Sequence, residues 1–245
     1  GRYIGRYQIG GDETAVYSKS KVVPLRGKNI SSYRGYSEAK GTGWRMIDVA
    51  AWSAVQILFL VEFADWDSQG KLGQGYGNGS LSFTAGSSDT AAYHTIKGGN
   101  TYNQYRWIEH PFGLSYDLID GIVVNNRKCY LEVDPGKYGG SKDTLRDSGV
   151  TLPSENGYIT GLGMSQAFPW AFLPNEASNG SKTTFVPDHV DSYQYAGDYA
   201  VAVGGGYSVN TNNNNGGWYG LWSFLCTSSG AMAAGSRLIF VPEEA

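Results

Sequence analysis

The side chains in this sequence that could act as acids, bases, nucleophiles or metal ligands are few and set far apart. His94, His110 and His189 have no second histidine, cysteine or carboxylate at spacings such as HxH or HExxH, which let one element close on a metal. Each reads as a hydrogen-bonding residue of a loop or the core. Cys129 and Cys226 form no CxxC pair, and one disulfide or two buried thiols would both suit them. No Gly-x-Ser-x-Gly elbow is present to expose a nucleophilic serine. Glu62, Asp65 and Asp67 lie close enough for a general acid and base, but they equally suit a calcium loop or a solvated helix end. The stretch from Gly73 to Gly79 has the glycines of a phosphate cradle without a following Lys-Ser/Thr pair or a surrounding βαβ unit. Backbone that needs positive φ is its plainer reading. The expectation is a protein that is not an enzyme and holds no cofactor, with calcium left open.

Chemistry suited to recognition is concentrated instead between Gly204 and Arg237. Asparagine and serine supply adaptable donors and acceptors there, while tyrosine and tryptophan supply broad, rigid, amphipathic area, a mixture like that of antibody paratopes. The same mixture suits sugars, whose apolar faces stack on rings while their hydroxyls bond to amides. The expected ligand-binding residues are Tyr207, Asn210, Asn212, Asn213, Asn214, Asn215, Trp218, Tyr219, Trp222, Phe224, Thr227 and Ser228. A second reading is a surface hairpin loop from Asn213 to Gly217 between core strands that bury Trp218 and Trp222.

The elements that must position this segment follow from periodicity and punctuation. A first helix is expected from Ser31 or Ser32 to Lys40, before Gly41. A second is capped by Asp48 and runs from Val49 to Phe63. Its apolar residues nearly encircle it, which predicts a mostly buried helix. Strands are expected at 3–9, 15–17, 21–23, 121–124, 129–133, 199–203, 219–225 and 236–241. Two early helices and a later run of short strands define an α+β class. Residues 1–30 read as a strand-and-turn extension of one domain, whose body is 31–245 and whose recognition surface is 204–237. With 35 Gly, 18 Tyr and only 17% charged residues, the composition suits a turn-rich binding protein. The net charge of -3 and the scattered lysines and arginines argue against nucleic acid, which needs clustered cations. No apolar run reaches the roughly 18 residues of a membrane span. The chain opens on Gly1, as a processed product or an excised fragment would.

Three stretches carry a resemblance. Tyr105-Arg106-Trp107-Ile108-Glu109-His110-Pro111-Phe112-Gly113-Leu114-Ser115-Tyr116-Asp117-Leu118-Ile119-Asp120-Gly121 resembles the pattern R-G-x-E-N-x-x-G-N-x-W-E-x-x-D-G. That pattern recurs in C-type-lectin-like domains of the formylglycine-generating-enzyme type and in phage tail proteins. Gly204 to Phe240, with its Gly-Gly, Leu-Trp and Gly-Ser-Arg-Leu landmarks, resembles the C-terminal lectin domain of phage tropism determinants. These include the variable proteins of diversity-generating retroelements. Gly43-Trp44 through the Asp48 helix to Gln69 and Gly73-Gln74-Gly75 resembles the helical half of such tail proteins.

What the resemblance implies is a C-type-lectin-like fold in a phage or prophage receptor-binding module, located in the virion tail or outside the cell. Trp218, Tyr219, Trp222 and Phe224 would be its anchors. Asn210, Asn212 to Asn215, Thr227 and Ser228 would be its polar contacts, and Arg237 a scaffold residue. Its partners would be a bacterial cell-surface glycan or protein and other tail proteins, and a homotrimer is a form the resemblance allows. The oxidase branch needs a close cysteine pair near the C-terminus, and Cys226 has no such neighbour. Two alternatives stay open. One is a structural virion protein using the fold for assembly. The other is a polysaccharide hydrolase with Glu62, Asp65 or Asp117 as acid and base.

Overall fold

Capping side chains set the helices of the computed structural model, which describes residues 1–76, 83–97, 102–181, 183–192, 196–205, 220–227 and 234–242. Helix α1 spans Ile30–Glu38, and Asn29 caps it by accepting from the Ser32 amide. The cap therefore falls ahead of the serines expected to make it, because an asparagine side chain does the same work one turn edge earlier. Helix α2 spans Val49–Phe63, with the Asp48 carboxylate accepting from the Ala51 amide and Ala64 closing it in the left-handed conformation. A third helix, α3, spans Ser68–Leu72 under an Asp67 cap. At this length no apolar periodicity develops, which is why it leaves no mark in the sequence pattern.

The strands are β1 (Tyr3–Gln8), β2 (Gly10–Gly11), β3 (Val16–Tyr17), β4 (Trp44–Met46), β5 (Gln104–Tyr105), β6 (Ile108–Glu109), β7 (Asp117–Asn125) and β8 (Lys128–Leu131). They continue with β9 (Arg146–Thr151), β10 (Gly157–Gly163), β11 (Leu173–Ser178), β12 (His189–Asp191), β13 (Asp198–Val203), β14 (Phe224–Thr227) and β15 (Arg237–Phe240). Eight of them form one sheet in the order β11-β10-β12-β14-β13-β7-β8-β9. All its neighbours are antiparallel except β12 and β14. Its end strands β9 and β11 come into contact, so the sheet is curled. The class is α+β, mostly sheet with few helices.

Helix α2 packs on β7, and Trp52, Val55 and Phe59 meet Ile119, Ile122, Val124 and Val201 in the larger core. The helix is less enclosed than its composition predicts. Leu58 is 40% and Val61 77% exposed, because only one side of the helix faces the sheet. A smaller sheet, β1-β15-β4, joins the two ends of the chain, with Tyr3 opposite Phe240 and Ile4 opposite Ile239. Ile9 and Val16 share its core with Ile30, Tyr33, Met46 and Leu238, so the first thirty residues are built into the body of the fold.

Two expected strands are corrected. Residues 21–23 form a turn, entered through Lys21 at φ 61, a left-handed conformation outside the extended region a non-glycine strand residue uses. The strand expected at 219–225 begins only at Phe224, since Gly220 to Ser223 form a turn.

The two sheets are braced through a buried ion pair. Arg237 on β15 has no exposure, and its Nε donates to Asp117 on β7 at 2.7 Å. Its remaining nitrogens donate to the backbone carbonyls of Arg6 (3.1 Å), Glu109 (2.8 Å) and His110. Gln8 on β1 donates to the other Asp117 oxygen at 2.7 Å. Nearby, Arg34 of α1 holds Asp120 of β7 in a two-pronged pair at 2.8 and 2.9 Å. Buried charges persist only when partnered in this way.

Candidate functional site

The expected recognition segment springs from the middle of the eight-stranded sheet. It leaves at the end of β13 and returns into β14, two antiparallel neighbours in which Val203 faces Phe224. The outgoing stem passes through Gly204 and Gly205, both at positive φ, whose carbonyls accept from the Gly113 amide at 3.1 Å. The returning stem is clamped more heavily. The Leu221 amide donates to Ser68 Oγ at 3.1 Å, and Gln56 of α2 donates to the Leu221 carbonyl at 2.7 Å. Trp222 donates its amide to Asp188 at 2.8 Å and its ring nitrogen to the Trp66 carbonyl at 2.9 Å. Its ring also meets Trp66 and Phe172 edge-on, with centroids 4.8 and 5.1 Å apart.

Asp188 is the unusual group of this stem. It has no exposure, and a Cβ on Gly220 would sit 2.1 Å from its Oδ1, so only glycine lets the chain cross there. One oxygen takes the Trp222 amide, while the other is buried without a partner. Burial without a counter-charge pushes its pKa from 3.8 up to about 8, the Asp67 carboxylate adding to the rise and the Trp222 amide opposing it. Near neutral pH this side chain is therefore largely the uncharged acid.

The expected contact residues divide at the stem. Trp222, Phe224 and Thr227 are 3%, 6% and 7% exposed, and Trp222 and Phe224 belong to the larger core. These three are interior residues of the stem rather than surface contacts: the turn before β14 tucks Trp222 into the larger core, and alternation puts Phe224 and Thr227 on opposite faces of a sheet that is covered on both sides there. Tyr207, Asn210, Asn212, Asn213, Asn214, Asn215, Trp218, Tyr219 and Ser228 lie outside the described residues. Arg237 is the buried brace, the place of a scaffold residue. Asp188 escaped the sequence reading because nothing local separates it from Asp191, which is bonded to Asn156 nearer the surface.

The residues weighed for catalysis are not brought together. Glu62 accepts from Arg106 and from the Tyr105 hydroxyl, each at 3.1 Å. Asp65 pairs with Lys71 at 3.1 Å, Asp67 caps α3, and Asp117 is enclosed by Arg237 and Gln8. His94 is exposed. Burial drives the pKa of His110 down to about 3 and that of His189 down to about 4. Cys129 and Cys226 are buried and form no disulfide, and burial holds the Cys129 thiol well above its usual range. Among the described residues no group of three or more His, Cys, Asp or Glu is placed to hold a metal ion. Gly73 and Gly75 have positive φ, as a plain loop requires, and residues 77–79 of that loop lie outside the described residues. Beneath Trp222, between α2 and the sheet, a cavity of about 20 Å³ has room for one water-sized molecule.

Comparison with known families finds none that matches the chain, and comparison with curated proteins finds no match either. No described helix is long and apolar enough to cross a membrane.

Proposed function

We propose that this chain is a receptor-binding module of a phage or prophage tail, not an enzyme, and that its 206–219 segment recognises a bacterial surface glycan or protein. The observation that carries this reading is the stem. An Asn-, Gly- and aromatic-rich segment is strung between two adjacent central strands, and both of its ends are fixed by buried hydrogen bonds. Such a base lets side chains change without disturbing the core, which is what a recognition surface on a rigid scaffold needs. The two early helices, the short antiparallel strands and the glycine-rich loops support reading the α+β fold as C-type-lectin-like. With Trp222 and Phe224 buried, the anchors in this reading are Trp218 and Tyr219, with Asn210 and Asn212 to Asn215 as polar contacts. A tail tip presenting several copies would turn weak single sites into firm adhesion.

The test is labelling of candidate host cells by the fluorescent domain and by a Trp218→Ala/Tyr219→Ala variant. Strain-selective labelling that falls by about thirtyfold or more in a variant with unchanged melting temperature supports the reading, as anchors of about 2 kcal/mol would give. Labelling that the variant retains removes the site from this segment. Adsorption to tail components but to no cell would favour a structural virion role.

A further inference from the structure

A groove of about 350 Å³ runs along the three-stranded sheet that joins the chain ends. That is at the small end of the roughly 300–1,000 Å³ of typical ligand sites. Tyr3, Phe240 and Trp44 occupy directly paired positions on β1, β15 and β4, so their side chains share one face. Their rings form a continuous strip, with neighbouring centroids 6.4 and 5.2 Å apart and planes tilted by 35° and 46°. Tyr3 is 66% exposed, and Tyr17, on the opposite wall, 38%. Gly5 forms the floor. A Cβ there would meet Ser18 Oγ at 2.9 Å and the Leu238 carbonyl at 3.1 Å, so any side chain at this position would fill the groove.

The charged groups that line the groove are of one sign. Lys40 Nζ stands 4.9 Å from the centre of the Trp44 ring and donates to the Val16 carbonyl at 2.8 Å, which leaves two of its three N–H bonds for a ligand. Arg6 also lines the groove, but its guanidinium is engaged by Ser88, Gln104 and Asp89, so Lys40 is the cation left for a ligand. No aspartate or glutamate lines the groove, in a chain whose net charge is -3. Neither the Tyr3 nor the Tyr17 hydroxyl has a hydrogen-bond partner among the described residues. An apolar side chain of another protein would use neither the ammonium nor the phenols. A nucleic acid would want a line of cations along its phosphates, and a single lysine does not make one.

We propose that this groove binds a hexuronate unit of an acidic polysaccharide, with the sugar's C–H face on the Tyr3–Phe240–Trp44 strip and its carboxylate at Lys40. The hydroxyls of the ring meet the open phenols and Ser18. The proposal is independent of the 206–219 segment, and the two readings fail separately.

The experiment is calorimetric titration of the whole chain with galacturonate and glucuronate trisaccharides and with the neutral galactose and glucose trisaccharides, at low and high salt. At least one acidic trisaccharide should bind more tightly than its neutral counterpart, and more weakly as salt rises. Tyr3→Ala, at an exposed position that leaves folding intact, should weaken binding about tenfold. Lys40→Met should erase the preference for the acidic sugar while leaving the weaker neutral affinity. Trp218→Ala/Tyr219→Ala should change none of these values. No binding of either uronate, equal binding of acidic and neutral sugars, or an unaltered Tyr3→Ala affinity overturns the proposal. Light scattering in the same samples covers the remaining occupant. A concentration-dependent dimer that Tyr3→Ala abolishes would give the groove to a second copy of the chain and overturn it too.

Discussion

Asp117 and Asp188 are both shut away from solvent, one in the brace between the two sheets and the other under the stem of the recognition segment. Burial raises the pKa of both. At Asp117 the guanidinium of Arg237 and the amide of Gln8 oppose that rise at 2.7 Å each, and Arg26 adds to them from farther off. At Asp188 only the Trp222 amide does so, and the nearest charge in play, Asp67, works the other way. The first region fixes two sheets in one arrangement through charge. The second holds its carboxyl by leaving it uncharged. Burial sets the problem for both residues, and the partner decides whether the answer is an ion pair or a neutral acid.

The largest effect should come from breaking the brace. Arg237→Met leaves Asp117 buried without its cation and strands the carbonyls of Arg6, Glu109 and His110. A loss of about 3–5 kcal/mol is expected, read as a lower urea midpoint at unchanged slope. Adding Asp117→Asn to that variant should recover part of the loss, because the stranded charge goes with it. If the double variant is as weak as the sum of the singles, the pair is not acting as a unit.

How much of this was legible in the sequence depends on whether a feature is local. Helix α2 was readable because Asp48 supplies a cap immediately before a long apolar run, and β7, β8, β13 and β15 because each carries a short run of apolar and aromatic residues. Strands β9 to β12 were not. Arg146 to Thr151 is mostly exposed and polar, Leu173 to Ser178 contains Pro174, and both lie at the ends of the curled sheet where one face meets water. The recognition segment was visible as composition, but its division into stem and tip was not. That division depends on where β14 starts, and a shift in that start turns Trp222 and Phe224 from surface to core. Asp188 was invisible because its isolation is created by α3, β12 and Gly220 meeting in space.

The stem half of the comparison is testable by pH. Asp188 has a folded pKa of about 8 against an ordinary 3.8, so folding favours its neutral form. Its stability contribution is full below pH 4 and is lost as pH rises through 8. His110 and His189, at about 3 and 4 against an ordinary 6.5, act in the opposite sense. Their contribution is full above pH 6.5 and is lost as pH falls toward 3. Asp188→Asn keeps an oxygen for the Trp222 amide and removes the titration. Its melting temperature should match the parent's near pH 4 and exceed it increasingly toward pH 8. The gain there is about 2 kcal/mol, since a tenfold change in proton affinity is worth about 1.4 kcal/mol and relaxation of the site returns part of the total. Parallel pH profiles for the two proteins would show that Asp188 has found a partner and that the contrast with Asp117 is false.

The smallest effect sharpens the comparison by separating pairing from burial. Asp65 and Lys71 form an ion pair at 3.1 Å, no longer than many buried ones, yet each side chain is 39% exposed. The Asp65 carboxyl is held below its usual range first by the amide of Asp67 and only then by Lys71. Lys71→Gln should therefore change stability by no more than about 0.5 kcal/mol, and less at high salt, where water and ions already screen the pair. A loss approaching that of Arg237→Met would mean that proximity of opposite charges is enough. A loss near zero, beside a large one at Arg237, would place the difference in the desolvation of the carboxylate left behind.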